Sequence, residues 1–233
     1  MKMHLTVLDP NDPGQSFPPL SNALSAPDGL LAVGGCLSTS RLLNAYRQGI
    51  FPWNGPDEPI LWWSPDPRLV LFPDKLLVSH SLAKTLRKRK FSITIDRAFA
   101  EVVKACAMPR DEEAGTWITE GIFQAYVDLH KVGYAHSAEA WLNGELVGGL
   151  YGVAMGRVFF GESMFYKEAN ASKAVFASLV KLLGNWGYQV IDCQVSTRHL
   201  MNLGAEEITR SDFVTLLDQY CDQPPDPAAW RPV

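Results

Sequence analysis

The sequence lacks the paired cysteines that would announce a disulfide framework or a metal site. Cys36, Cys106, Cys193 and Cys221 lie far apart and form no CxxC. A chain of 233 residues buries a core without covalent staples, so free thiols in a reducing compartment are expected. The five histidines are scattered, and neither HExxH nor an EF-hand loop occurs, so no metal is expected. Long apolar runs are missing too. The most apolar stretch, 146–165, contains five glycines, Arg157 and Glu162, whereas a spanning helix needs about 20 mostly apolar residues. The opening MKMHLTVLDPNDPG has no apolar segment of signal-peptide length. The expectation is a cytoplasmic protein without membrane association. Walker A and GxGxxG loops are absent, which disfavours nucleotide hydrolysis and dinucleotide redox chemistry.

What is present is an ordinary core-forming composition, 47% hydrophobic and 11% aromatic, enough for one large or two small domains. The net charge of −4 hides an asymmetry. Residues 81–110 carry eight basic and two acidic side chains, whereas 111–233 carry eight basic and sixteen acidic. A basic block inside an acidic protein points to a local polyanion site, with a solvated helix face as the plainer alternative. Its centre is Lys84, Arg87, Lys88, Arg89 and Lys90. Proline is equally uneven: eleven of sixteen precede residue 76, and none lies between Pro109 and Pro224. The first part should therefore be turn-rich and the second regular.

Periodicity fills in the elements. Ser38 caps a helix with Leu42, Leu43 and Tyr46 inside and Gly49 at its end. Leu82 and Leu86 give a short stripe in the basic block. Asp96 is expected to start a helix bearing Phe99, Val102, Val103 and Cys106, and Thr119 to cap another bearing Ile122, Phe123, Tyr126 and Leu129. Asn143-Gly144 predicts a hairpin, and Met155-Gly156 a second turn. Asn170 is expected to cap a helix, QVIDCQV to form a strand, and a last helix to begin near Ser211. The Pro-rich tail from Pro224 is expected to be loosely ordered. The order predicts an α+β fold, a mixed sheet covered by helices.

Acids on apolar strands mark the candidate chemistry. In Ile191–Val195, alternation puts Asp192 and Gln194 on one face and sends Cys193 to the other. Polar groups there are costly unless they line a cleft or a buried network. Glu162 repeats the pattern between Phe160 and Met164. On adjacent strands the two acids would form an anionic pocket suited to a cationic substrate group. GESMF is a poor GxSxG elbow, since Phe165 replaces the second glycine. Trp53 or Trp117, if exposed, could stack on a base.

Ten segments carry a resemblance, in order: FPP at 17–19, PDGLLAVGG at 27–35, RLLNAYRQGIFPW at 41–53, ILWWSPDPR at 60–68, GTWIT at 115–119, AHS at 135–137, LVGGLYGVA at 146–154, FFGESMF at 159–165, NASK at 170–173 and IDCQV at 191–195. Together they resemble the leucyl/phenylalanyl-tRNA–protein transferase family. The resemblance implies a small N-terminal domain, 1–68, and a GNAT-type acyltransferase domain, 69–233. It implies transfer of Leu, Phe or Met from aminoacyl-tRNA to proteins with N-terminal Arg or Lys, creating a degradation signal. No cofactor is implied, because the ester is already activated. Carried over, Trp53 and Trp117 hold the terminal adenosine, and Met164 and Leu150 line the pocket for the carried side chain. Asp192, Gln194 and Glu162 fall at the active site, and the basic block faces tRNA. Asp192 is either a general base acting through Gln194 or, with Glu162, a binder of the acceptor's cationic side chain. Cys36 and Thr197 depart from the family pattern, which has Asp and Asn there. The competing readings are an acyl-CoA-dependent N-acetyltransferase of the same fold, disfavoured by the missing pyrophosphate loop Q/R-x-x-G-x-G/A, and a non-catalytic RNA-binding module.

Overall fold

The computed structural model describes residues 5–108 and 116–231. Two sheets organise the chain. In the turn-rich part, β1 (Thr6–Leu8), β2 (Leu30–Gly34), β3 (Phe51–Pro52) and β4 (Leu61–Trp63) form a four-stranded sheet in the order β1-β2-β4-β3, with α1 (Thr39–Arg47) between β2 and β3. The larger sheet takes β5 (Arg68–Leu71), β6 (Ser92–Ile95), β7 (Ala135–Leu142), β8 (Glu145–Met155), β9 (Val158–Tyr166), β10 (Val190–Gln194) and β11 (Glu206–Ile208), in the order β11-β5-β10-β9-β8-β7-β6. Helices α2 (His80–Arg87), α3 (Phe99–Ala107), α4 (Glu120–Lys131), α5 (Ala171–Asn185), α6 (Arg198–Met201) and α7 (Arg210–Tyr220) complete it. Only β9 and β10 run parallel in this sheet, so it is mixed and helix-covered as expected.

Side-chain alternation splits the interior into two cores. Val70, Tyr151, Val153, Phe160 and Val190 face α3, α4, α7 and the four-stranded sheet. Leu69, Leu71, Leu150, Phe159 and Ile191 face α5 and α2. The first core runs without interruption from Leu8 and Trp62 to Phe160 and Phe213, so the small sheet is packed onto the large one. At 25 cal/mol per Å2, each such large side chain contributes roughly 1.5–3 kcal/mol on burial.

Most local signals hold. Ser38, Thr119 and Thr209 cap α1, α4 and α7 through their hydroxyls. Asn143 and Gly144 both take positive φ in the β7–β8 hairpin, the pairing that a type I′ turn requires. Gly152 is needed for space, since a Cβ there would meet the Phe160 carbonyl oxygen at 2.2 Å.

Three expectations fail for identifiable reasons. Asp96 does not start α3, which begins at Phe99. It ends the edge strand β6 with φ 54, and its carboxylate accepts from Ser137 N–H (2.8 Å) and His136 Nδ1 (2.7 Å). Asn170 precedes α5 but adopts φ 67 and makes no side-chain cap. The Pro-rich tail is not loose: Trp230 stacks on His136 with centroids 4.0 Å apart, and its Nε1 donates to the Tyr188 hydroxyl at 2.6 Å. One large aromatic anchors a segment whose composition suggested otherwise.

Cys36, Cys193 and Cys221 are free thiols. Asp96, His130 and His136 come within 4.8 Å of one another. Their Nδ1 atoms already bond, His130 to the Ala135 carbonyl (2.8 Å) and His136 to Asp96. Among the described residues, no helix is long and apolar enough to cross a membrane.

Candidate active site

β9 and β10 pair only from Val158–Val190 to Phe160–Asp192, after which β9 runs on to Tyr166 beside a gap. A cavity of about 730 Å3 occupies that gap and the space beneath α5. Leu150, Met164, Phe176, Leu179, Leu183 and Ile191 make its apolar wall. Leu150 and Met164 are direct cross-strand partners on β8 and β9, so the two residues assigned to one pocket do stand side by side. Glu162, Asp192 and Gln194 also line the cavity.

The two carboxylates have different surroundings. Asp192 is fully buried, and Arg68 grips it with a two-pronged bond, Nε to Oδ1 at 2.8 Å and a terminal nitrogen to Oδ2 at 2.7 Å. The anionic pocket inferred from two acids therefore omits a buried cation. Arg68 entered the sequence reading only as the last residue of the ILWWSPDPR segment; its partner lies 124 residues away and leaves no local trace. Cys193 is partly buried against the α5 core and also touches the cavity, and burial pushes its thiol well above the ordinary range, consistent with an inert side chain.

Glu162 has no such cation. Its Oε1 lies 2.8 Å from the Tyr46 hydroxyl and its Oε2 2.8 Å from the Tyr126 hydroxyl, and the two hydroxyls touch each other. Both tyrosines donate to the carboxyl, and Gln194 Nε2 donates to Oε1 at 3.1 Å. Burial is the main cause that pushes the Glu162 carboxyl up to about 7, against the pull of both tyrosines. Tyr46 and Tyr126 were legible as buried helix positions; nothing in the periodicity marked their hydroxyls.

Gln194 owes its direction to a bulge. β10 pairs Asp192 with Val70 and then Gln194 with Leu69, so one residue is skipped. Gln194 takes φ 63 there, and its N–H donates to Asp192 Oδ1 at 2.9 Å. Strict alternation would not have placed its side chain on Glu162.

The remaining candidates lie outside the cavity lining. Trp53 is 48% exposed, with Trp63 packed beside it at 5.7 Å. Trp117 is half-buried against the first core, and Gly115 of its motif is outside the described residues. Lys84, Arg87, Lys88, Arg89 and Lys90 are all exposed, on α2 and the turn after it. Lys90 pairs with Glu168 at 2.7 Å, which ties the block to the loop whose next residues, Ala169 and Asn170, line the cavity. Lys173, the last residue of NASK, and His199 also reach the lining, though neither was singled out as a site residue. Thr197 caps α6 through its hydroxyl, accepting from Leu200 N–H at 3.3 Å.

The cavity has an apolar wall and ends at an amide and two carboxyls. The family model described as leucyl/phenylalanyl-tRNA protein transferase matches residues 70–218, and that of its N-terminal domain residues 35–66. Proteins called leucyl/phenylalanyl-tRNA–protein transferase are 58% identical over 227 residues in Methylococcus capsulatus, covering 97% of each chain, and 58% identical over 214 residues in Nitrosomonas europaea, covering 92% of this chain and 91% of that one. This chain belongs to the leucyl/phenylalanyl-tRNA–protein transferase family. Among solved structures, L-PGS from Bacillus licheniformis aligns at TM-score 0.40 and 15% identity, over 69% of this chain and 52% of that one. A GCN5-related N-acetyltransferase from Kribbella flavida aligns at 0.39 and 11%, over 68% and 56%.

Proposed function

We propose that this enzyme moves Leu, Phe or Met from aminoacyl-tRNA to the α-amine of proteins beginning with Arg or Lys, and that the product is a degradation signal made in the cytoplasm. The observation that carries the reading is the apolar cavity of about 730 Å3 ending at Gln194 and Glu162. A leucyl or phenylalanyl side chain lies against Leu150 and Met164, and its ester carbonyl reaches the polar end. The α-amine attacks that carbonyl; an N–C bond forms, the C–O bond to the ribose breaks, and an amine proton ends on the departing ribose hydroxyl. The ester is already activated, so no cofactor enters.

Proximity supplies much of the rate in this scheme, with Gln194 orienting the amine through its side-chain oxygen. A cationic acceptor beside Glu162 lowers the carboxyl's proton affinity and favours the carboxylate facing that cation. Asp192 acts through Gln194, since Arg68 and the Gln194 N–H occupy its oxygens. Trp53 and Trp117 take the terminal adenosine, and the exposed block Lys84–Lys90 takes tRNA phosphates. The chain is divided near residue 68 into the small N-terminal domain and a GNAT-type catalytic domain.

The test is incubation with radiolabelled Leu-tRNA and a peptide beginning with Arg, beside one beginning with Ala. Label on the Arg peptide alone supports the reading. Label on both removes the acceptor rule, and acetylation of the peptide from acetyl-CoA would replace the donor.

A further inference from the structure

Arg68 makes three kinds of contact that converge on one place. Its guanidinium lies between two aromatic faces, 4.8 Å from the Phe51 ring of β3 and 4.7 Å from the Phe213 ring of α7. It is 1% exposed and forks onto Asp192, which is buried completely. Asp192 in turn holds the N–H of Gln194 at the skipped residue of β10, where Gln194 adopts a left-handed backbone. That conformation is unfavourable for a side-chain-bearing residue, and it persists only where surrounding bonds hold it. Here the holding bond is the one to Asp192 Oδ1, the same oxygen that accepts from Arg68 Nε.

We infer that Arg68 is a positioning residue for the transfer reaction: it fixes Asp192, and through Asp192 the bulge that aims the Gln194 amide at Glu162 and the reacting carbonyl. The geometry demands an arginine. A planar fork fixes both carboxylate oxygens and with them the rotation of the carboxyl plane. A lysine neutralises the charge but leaves that plane free to turn, and Oδ1 then leaves the Gln194 N–H. A position over two aromatic rings also favours the guanidinium over an ammonium. The same clamp joins the site to the small sheet, because Phe51 sits two residues before Trp53. Register between the proposed adenosine platform and the Gln194 amide is set through one side chain. This inference rests on the proposed role of Gln194 in the reaction.

The experiment is a double-mutant cycle on the full-length enzyme, reading kcat with saturating Leu-tRNA and acceptor peptide, the KM for the acceptor, and the affinity for a non-hydrolysable leucyl-adenosine analogue. Arg68→Lys is expected to lower kcat at least tenfold while analogue affinity stays within twofold. Gln194→Ala is expected to lower kcat similarly, and the pair Arg68→Lys with Gln194→Ala to lose no more than Gln194→Ala alone. A purely structural Arg68 gives losses that multiply instead, with analogue affinity falling in step, and that result overturns the inference. Unchanged kcat in Arg68→Lys overturns it as well. Unchanged kcat in Gln194→Ala shows that the site reading itself has failed, and the inference with it. Should Arg68→Lys not fold, the charge-cancelled pair Arg68→Gln with Asp192→Asn enters the same cycle and is judged by the same rule.

Discussion

Two acids on neighbouring strands of one sheet, Asp192 and Glu162, are buried by opposite means. Asp192 is gripped by the Arg68 fork beside two phenylalanines. Glu162 has no such partner, accepts from two tyrosines and an amide, and is pushed up to about 7 by burial. The contrast shows that a buried carboxyl is not by itself an anionic site. What surrounds it decides whether it is a fixed charge, useful for holding other groups in place, or a group whose protonation can change when a cation arrives.

The comparison can be broken most forcefully at Asp192. Asp192→Ala leaves the Arg68 guanidinium buried and unpaired, and should cost about 3–5 kcal/mol in denaturant unfolding. Converting the pair together to Gln and Asn should cost much less, since no charge is stranded.

Glu162 sharpens the contrast through pH. Its carboxyl stands at about 7 in the folded chain against an ordinary 4.5, so the folded state binds this proton more tightly than the unfolded one. Its stabilising contribution is therefore fully present below pH 4.5 and is lost as pH rises through 7, a change on the order of 3 kcal/mol. Glu162→Gln should remove that slope from a plot of stability against pH. A Glu162→Gln enzyme whose slope matches the parent would show that the carboxyl is ionised throughout. Tyr126→Phe should have a smaller effect, about 1–2 kcal/mol, because it deletes one hydrogen bond to the carboxyl. It should also move the Glu162 transition to higher pH, since that hydroxyl pulls the value down; carboxyl titration by infrared or NMR reads this directly.

The smallest effect on stability belongs to the surface. Replacing Lys84 and Arg87 by Ala should change folding by no more than about 0.5 kcal/mol. The dependence of tRNA affinity on salt should nevertheless flatten by up to roughly two phosphate contacts. Unaltered salt dependence would return the block to a solvated face.

How much of this could be read from the residues divides along the same line. Elements with local causes were legible: Ser38 and Thr119 before their helices, Asn143-Gly144 between two strands, the acids at 162 and 192 standing out among apolar neighbours. Short strands such as Ser92–Ile95 were not, because four residues beside a basic block carry too little periodicity. Nor was the bulge at Gln194, which breaks the alternation that the sequence reading relied on. Tyr46 and Tyr126 were seen as packing positions and Arg68 only as part of a motif, since their meaning comes from partners far along the chain. The tail misled for the same reason: Trp230 matters through His136 and Tyr188, not through its proline neighbours.

Those long reaches carry a consequence for how the enzyme comes into being. Glu162 meets Tyr46 across 116 residues and Arg68 meets Asp192 across 124. Closing loops of that length is entropically late in folding. A growing chain on the ribosome cannot complete the first contact until residue 162 has emerged, nor the second until the strand at 190–194 has followed. The two acids are thus given their partners in sequence during synthesis, Glu162 before Asp192.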